Sequence, residues 1–399
     1  MNILFLCQGN PEARDSWSGV NWSILRHLRD AGHTVIPADV EISGLPRMAV
    51  AMSTLSRSRR RWWVRYHLGE SGFRARSRRA AHWIEEAGHR ADVILQVGAT
   101  FEVPQDCRIP VAMYCDGNIA MANDGADTGF SDAAFLTPEE IQEIRGREQR
   151  VYRRAGLIFT MSHRLRRSFI QDFHLPPGRL ATVHCGPNVA LDDARPSEGQ
   201  RLPADPPSVL FVGRDFHRKG GDLLLEAFHQ VRRSVPGARL TIVGPGPAEP
   251  ANLPEWVEVL GYLDRNTPEG SRRMDAAYRN ATLFCLPTRF EPFGTSFVEA
   301  MLYGLPCVGP DAWAVPEIIE PDRTGLLVPP EDPEALALAL ISLLTDPPRC
   351  REMGAAGRER VLSGFSWEAI TGRMVDGMRR LIQGDPHPAP DTVLQGNGG

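Results

Sequence analysis

A short apolar strand, a glycine-containing loop, a helical pattern and a second strand follow one another twice along this chain of 399 residues. The first instance runs from Ile3–Cys7 through "SWSGVNWS" and a helix ending near Gly32 to the strand "HTVIPA". The second runs from Val209–Val212 through "GRDFHRKGG" and a helix over about Asp222–Val235 to "ARLTIVG". A strand that returns through a helix points the same way as before, so each instance predicts a parallel sheet covered by helices. The length exceeds what one core ordinarily organises, which agrees with two α/β domains. Between them, "LDDARPSEGQRLPADPPS" is rich in Pro, Asp and Ser without apolar periodicity, and 191–208 reads as a linker between domains 1–190 and 209–365. Trp367, Ile370, Met374 and Leu381 recur at helical spacing and predict a final helix over 366–383, whereas 384–399 has too little apolar content to pack.

The net charge of −4 excludes a globally nucleic-acid-binding protein. Seven scattered cysteines, with no C-x-x-C pair, read as reduced and mostly buried thiols. The start "MNILFLCQGN" lacks a basic leader and holds a five-residue apolar run, so it reads as a first strand and not as a signal peptide. No run is long enough to span a bilayer, and the expected location is the cytosol or a membrane surface. Charge is nevertheless uneven: Arg57–Arg90 holds ten arginines against Glu70, Glu85 and Glu86, a formal excess of +7, with Trp62 and Trp63 inside it. That stretch is either a solvated basic helix pair or a dock for an anionic membrane.

Lys219 is the only lysine in the chain, beside 44 arginines. A lysine kept against such a bias suggests a compact charge on a flexible stem. It stands with Gly213 and Arg214 at a strand exit, where open α/β sheets bind ligands, and Gly220 and Gly221 open the following helix, whose N–H groups favour anions. Arg214 and Lys219 on this solvent-facing loop are suited to a phosphate. Further on, "TRFEPFGTSFVEAMLYGLPCVG" predicts a helix from near Thr295 to Gly304. Glu299, one turn inside, leans back toward the helix mouth, and Glu291 lies in the loop before it. Carboxylates repel phosphate but accept hydrogen bonds from vicinal hydroxyls, and a diphosphate flanked by two sugars satisfies both sets of groups. Such a ligand is a nucleotide sugar.

These motifs resemble those of glycosyltransferase family 4, the glycosyl transferases group 1, retaining enzymes of GT-B fold. The matching stretches are "GRDFHRKG", "VGPGP" at 243–247 and "EPFGTSFVE" from Glu291 to Glu299. The resemblance implies two Rossmann-like domains with parallel sheets facing each other across a cleft. It implies Arg214 and Lys219 on the diphosphate, Glu299 on the nucleotide ribose and Glu291 on the transferred sugar. Backbone N–H groups of Gly294, Thr295 and Ser296 would complete the phosphate cradle, Gly213 and Phe293 belong to the donor site, Gly261 and Tyr262 line the base, and Gly19 approaches the diphosphate from the first domain. Where similar members carry two adjacent glycines, this chain has Ser18-Gly19. Ser162 and Asn188 fall in segments resembling the close of the first domain, and read equally as a strand-end cap and a turn residue.

One departure concerns the strand end "VAMYCDGN", where many members place a histidine and this chain has Asp116. An aspartate there orients the acceptor hydroxyl or accepts its proton, or it simply begins an Asp-Gly turn. The reading is a metal-independent hexosyltransferase that takes a nucleoside-diphosphate sugar as co-substrate, needs no cofactor and acts on a hydroxyl of a glycan or lipid-linked acceptor. Its rivals are a sugar-nucleotide epimerase of the same fold and a non-catalytic module recruited to membranes.

Overall fold

The computed structural model describes residues 1–189, 206–244 and 253–385. Most of the expected linker, the end of the 243–247 loop and nearly all of the 384–399 tail lie outside the described residues. The chain divides into two compact units, one holding Met1–His184 and the residues from Trp367 onward, the other Cys185–Ser366. Each is built on a six-stranded sheet whose neighbouring strands are all parallel.

In the first unit the strands are β1 (Asn2–Cys7), β2 (Thr34–Asp39), β3 (Val93–Val97), β4 (Val111–Cys115), β5 (Leu157–Thr160) and β6 (Leu180–Thr182), in the order β2-β1-β3-β4-β5-β6. Ile3 to Cys7 are fully buried because helices cover both faces of the sheet, and so β1 reads as a continuous apolar run. The helix Trp367–Ile382 packs in this unit against the helix Val20–Asp30 and β5. Its approach to β5 is close: a side chain at Gly377 would press on Leu157 and Phe159. The seven cysteines are free thiols, and six of them are buried.

The basic stretch folds into two helices, Arg59–Leu68 and Glu70–Ala87, after a further helix, Gly44–Ser53. Most of its arginines hold partners inside the unit. Arg60 pairs with Asp132, Arg61 and Arg65 with Glu140, and Arg74 with Glu70. Arg76 is wholly buried and donates to the carbonyls of Thr100 and His67, while Arg79 donates to that of Asp39 and Arg90 to that of Glu86. Seven of the ten arginines thus hold loops or helix ends of this unit, although only Asp132 and Glu140 bring carboxylates to them from outside the stretch.

The second unit contains β7 (Ser208–Val212), β8 (Arg239–Val243), β9 (Val257–Gly261), β10 (Leu283–Cys285), β11 (Cys307–Pro310) and β12 (Gly325–Val328). Their order is β12-β11-β10-β7-β8-β9. Counted from β7 this is the 3-2-1-4-5-6 arrangement, which turns back on itself between β7 and β10. In the first unit the corresponding reversal lies between β1 and β3. Chains leaving two strands at such a point depart to opposite faces and leave a crevice beyond the carboxyl ends.

Both crevices are entered through glycines in the left-handed region. Gly19 (φ 94°) precedes the helix Val20–Asp30, Gly220 (φ 75°) the helix Gly221–Ser234, and Gly294 (φ 113°) the helix Thr295–Leu302, and none of the three helices has a side-chain cap. Elsewhere Asn118, Thr137, Ser162, Thr267, Asp332 and Asp346 do cap their helices. At Gly19 the turn also carries Trp17 (φ 46°) and Ser18 (φ 57°), two side chains held where L-residues are disfavoured. Ser18→Gly removes one of these penalties. We expect a gain of about 1 kcal/mol in unfolding free energy by thermal or urea denaturation.

Candidate active site

The loops leaving β7 and β10 meet across the strand reversal of the second unit. They are stitched by Arg289 N–H to the carbonyl of Arg218 at 2.9 Å, by Thr288 Oγ1 to the same carbonyl at 3.2 Å, and by the Arg218 guanidinium to the carbonyl of Phe290 at 2.8 Å. Gly220 fits beneath them because any side chain there would enter the carbonyl of Pro287. Arg289 locks the other side through Asp222 at 2.6 Å and Glu331 at 2.8 Å. Held by this frame, Lys219 and Glu291 form an ion pair, with side chains only 13% and 8% exposed. The expectation of a solvent-facing lysine is corrected here: Lys219 lies in the seam between two loops, and the seam excludes water from most of its length. Burial lowers its pKa, opposed by the Glu291 carboxylate.

Arg214, next to Gly213 at the end of β7, remains exposed and lies over the ring of Tyr262, 4.9 Å from its centroid. Tyr262 follows β9 and is itself 52% exposed, so a guanidinium and an aromatic face are presented together to solvent. The strand ends beneath them are closely packed: Gly213 N–H donates to the carbonyl of Val243, Gly244 N–H to that of Gly261, and a side chain at Gly244 would collide with the backbone of Gly213. Gly261 takes φ 68° at the turn out of β9.

Glu299 lies one turn inside the helix Thr295–Leu302, with its side chain 5% exposed. Arg265 donates to both of its oxygens, at 2.8 and 2.6 Å. The Tyr278 hydroxyl donates at 2.8 Å and the backbone N–H of Asn188 at 3.3 Å. Two donors on each oxygen occupy the carboxylate's ordinary acceptor positions. Burial pushes Glu299 upward, but the Arg265 charge and these hydrogen bonds hold its pKa below the ordinary value of 4.5. Neither Arg265 nor Tyr278 belongs to the expected site. The only sequence hint of Arg265 is its position three residues after Tyr262.

The remaining expected residues are placed as follows. Gly294 leads the uncapped helix whose first residues, Thr295 and Ser296, are half-buried. Phe293 is 3% exposed and its ring packs toward Phe365, so its side chain serves the core of the second unit. In the first unit Gly19 opens the helix Val20–Asp30, and Asp116 stands directly after β4, half-buried. Ser162 caps the helix His163–Gln171 by accepting from Leu165 N–H. The structure thus brings Gly213, Arg214, Lys219, Gly261, Tyr262, Glu291, Gly294, Thr295, Ser296 and Glu299 to the carboxyl end of one sheet, and places Gly19 and Asp116 at the carboxyl end of the other.

Residues 193–360 match the family model for glycosyl transferases group 1. A GDP-mannose-dependent alpha-(1-6)-phosphatidylinositol monomannoside mannosyltransferase of Mycobacterium tuberculosis is 32% identical over 210 residues, which cover 48% of this chain and 54% of that protein. The chain spans about half the length of that curated relative. Among solved structures, sucrose-phosphate synthase from Thermosynechococcus elongatus aligns with a TM-score of 0.70 at 21% identity, covering 96% of this chain and 100% of its own. HepE of Anabaena, solved in complex with UDP and glucose, aligns at 0.60 and 15% identity over 95% of this chain and 99% of its own. The fold is the two-domain, Rossmann-like GT-B fold.

Two outcomes test this geometry. Lys219→Met leaves Glu291 buried without its counter-charge and should cost about 3 kcal/mol of stability, whereas Lys219→Met with Glu291→Gln should recover most of it; urea denaturation of the two variants is the measurement. For Glu299 the folded pKa lies below the unfolded one, so its charge stabilises the fold above about pH 4.5 and that contribution is lost as pH falls through the folded value. Arg265→Gln leaves burial dominant and raises that value. The Tm deficit of Arg265→Gln against the parent should therefore be largest near neutral pH and shrink toward about pH 4, and a deficit independent of pH would disprove the assignment.

Proposed function

We propose, on the premise that the second unit belongs to glycosyl transferases group 1, that this protein transfers a sugar from a nucleoside diphosphate to an acceptor hydroxyl with retention at the anomeric carbon. The observation that carries the reading is the set of groups at the β7/β10 reversal: two uncapped helix mouths, the exposed Arg214 on Tyr262, and Lys219 paired with Glu291. The bond between the anomeric carbon and the diphosphate oxygen breaks with its electrons leaving on the diphosphate. Arg214, Lys219 and the helix N–H groups stabilise that charge as it develops, in a frame that needs no reorganisation. The chain's own cations supply this charge, and the reading requires no metal.

The acceptor oxygen forms the new bond on the face the diphosphate leaves, and its proton departs as the bond forms. Asp116, half-buried at the end of β4, is the group assigned to orient that hydroxyl or take the proton. Glu291 accepts from hydroxyls of the transferred sugar and Glu299 from the ribose, while Tyr262 stacks on the base. A lipid-linked acceptor agrees with the phosphatidylinositol mannoside named for the mycobacterial relative. The working location is then the cytoplasmic side of a membrane.

The test is nucleoside diphosphate release from a panel of nucleotide sugars, with and without candidate acceptors. Acceptor-dependent acceleration is expected, and Arg214→Ala and Lys219→Ala should each lower turnover by roughly two orders of magnitude, the cost of losing one donor to a developing oxyanion. In the same panel, a nucleoside diphosphate present at 100 times its dissociation constant should add about 2.7 kcal/mol of stability. No acceptor dependence with any donor, or wild-type turnover in both variants, would sink the reading.

A further inference from the structure

Asp116 is carried by a turn of three residues, Asp116–Asn118, between β4 and the helix Ile119–Asp124. Two other helices fasten that turn. Asn118 caps the helix by accepting from Met121 N–H at 2.8 Å, and its amide donates at 3.0 Å to Ser168 Oγ on the helix His163–Gln171. Glu148, on the helix Pro138–Arg154, accepts the Ile119 N–H with both carboxyl oxygens, at 3.0 and 3.3 Å. That N–H is the first of its helix and has no partner within it, so a side chain 29 positions away completes the cap.

The surroundings of Glu148 are unusual for a residue that only closes a helix start. It is partly buried, and its helix neighbours Arg145 and Arg147 reach elsewhere, to the carbonyl of Asp172 at 2.6 Å and to Glu70 at 3.0 Å. Burial outweighs the Ile119 hydrogen bond, the Tyr152 hydroxyl and the charges of Arg147 and Arg145, and pushes the Glu148 carboxyl up to about 8. Near pH 7 it is therefore mostly the uncharged acid and adds no full negative charge beside Asp116. The two carboxyls share a neighbourhood: each pushes the buried Cys115 thiol and the buried Tyr152 hydroxyl upward, behind burial as the main cause. Ionisable groups displaced this far from their ordinary range gather where a fold does chemistry.

We propose that Glu148 is a positioning residue for the acceptor step, holding the Ile119 N–H so that the turn keeps Asp116 on the acceptor hydroxyl. The role rests on the transferase reading and on Asp116 as its acceptor-side group. Glu148 is not itself the base: a carboxyl that already holds its proton near pH 7 cannot take the acceptor's, which passes to Asp116. Its oxygen needs only to accept from the Ile119 N–H, as any neutral carbonyl oxygen can. Loss of the contact frees the turn to shift, and displacing a reacting group by about 1 Å is enough to cost roughly a hundredfold in rate.

The experiment is nucleoside diphosphate release by the full chain from GDP-mannose and UDP-glucose, with methyl mannoside or phosphatidylinositol as acceptor. It is read beside amide exchange of the 116–124 segment by mass spectrometry, which needs no ligand. Glu148→Ala should lower kcat roughly tenfold to a hundredfold with the donor KM unchanged, and should speed exchange in that segment. Glu148→Asp, which keeps a carboxyl but withdraws it by one carbon, should do the same, and it carries the test if the alanine variant fails to fold. Glu148→Gln presents a neutral acceptor at full length and should retain most of the wild-type kcat and protection. Gln149→Ala, which removes a contact to the Phe173 carbonyl from the same helix, should leave both at the wild-type level. Wild-type kcat in Glu148→Ala and Glu148→Asp, Glu148→Gln as slow as Glu148→Ala, or a fall in kcat matched by a rise in donor KM, overturns the positioning role. Absence of acceptor-dependent release in the wild type fails the transferase reading and this role with it, whereas failure of the role alone shows in the variants of a wild type that transfers.

Discussion

Lys219 and Glu291 are two ions that the fold takes out of water together, one from each of the loops that diverge at the strand reversal of the second unit. Desolvating either alone costs several kcal/mol, so the pair forms only if both loops are in register. That registration is done by neutral groups: the carbonyl of Arg218 accepts twice from the β10 loop, and the Arg218 guanidinium reaches the carbonyl of Phe290. Gly220 is what lets the loops come this close. The ion pair is weak evidence of stability. A hydrophobic contact would close the seam more cheaply, yet could offer nothing to a charged ligand.

The second carboxylate follows a different physical plan. Glu299 is reached from three directions, by Arg265 from the loop after β9, by Tyr278 from the helix Pro268–Asn280 and by the backbone of Asn188. The Arg265 side chain is 29% exposed against 5% for Glu299 itself. In the proposed reaction, ribose hydroxyls would have to share or replace these donors, so the ligand-free arrangement keeps the carboxylate ionised and aimed at the expense of some affinity. Preorganisation of this kind favours a defined geometry over the tightest possible ground-state complex.

The parts of this molecule that were legible in its sequence are those governed by local rules. Strand, glycine loop and helix succeed one another within about thirty residues, and both sheets could be anticipated from that order. Gly19, Gly220 and Gly294 stand where the chain turns left-handed, which is why the loops around them carried the signal. What stayed hidden depends on tertiary contact. Arg265 and Glu299 are 34 positions apart in a loop and a helix that nothing local links. The burial of Lys219 arises from a loop 72 positions away, and the sequence alone suggested a solvated cation. In the Arg57–Arg90 stretch, composition gave the excess charge correctly but could not show that Glu140 and Asp132, from a distant segment, engage Arg60, Arg61 and Arg65.

The three left-handed glycines set these helix mouths apart from the side-chain-capped helices. A Ser, Thr, Asp or Asn at the N-cap satisfies a free N–H with its own oxygen, as at seven other helices among the described residues. The same oxygen would place partial negative charge where an anion must sit. Glycine gives up about a few tenths of a kcal/mol relative to a good cap and leaves the N–H groups and the positive end of the helix dipole open. Glycine caps recur at the carboxyl edges of both sheets, twice at the reversal in the second unit and once after β1 in the first. In the proposed reaction these three open helix starts, which share left-handed glycine caps at the carboxyl edges of the sheets, are where the binding energy of an anion would be supplied from outside.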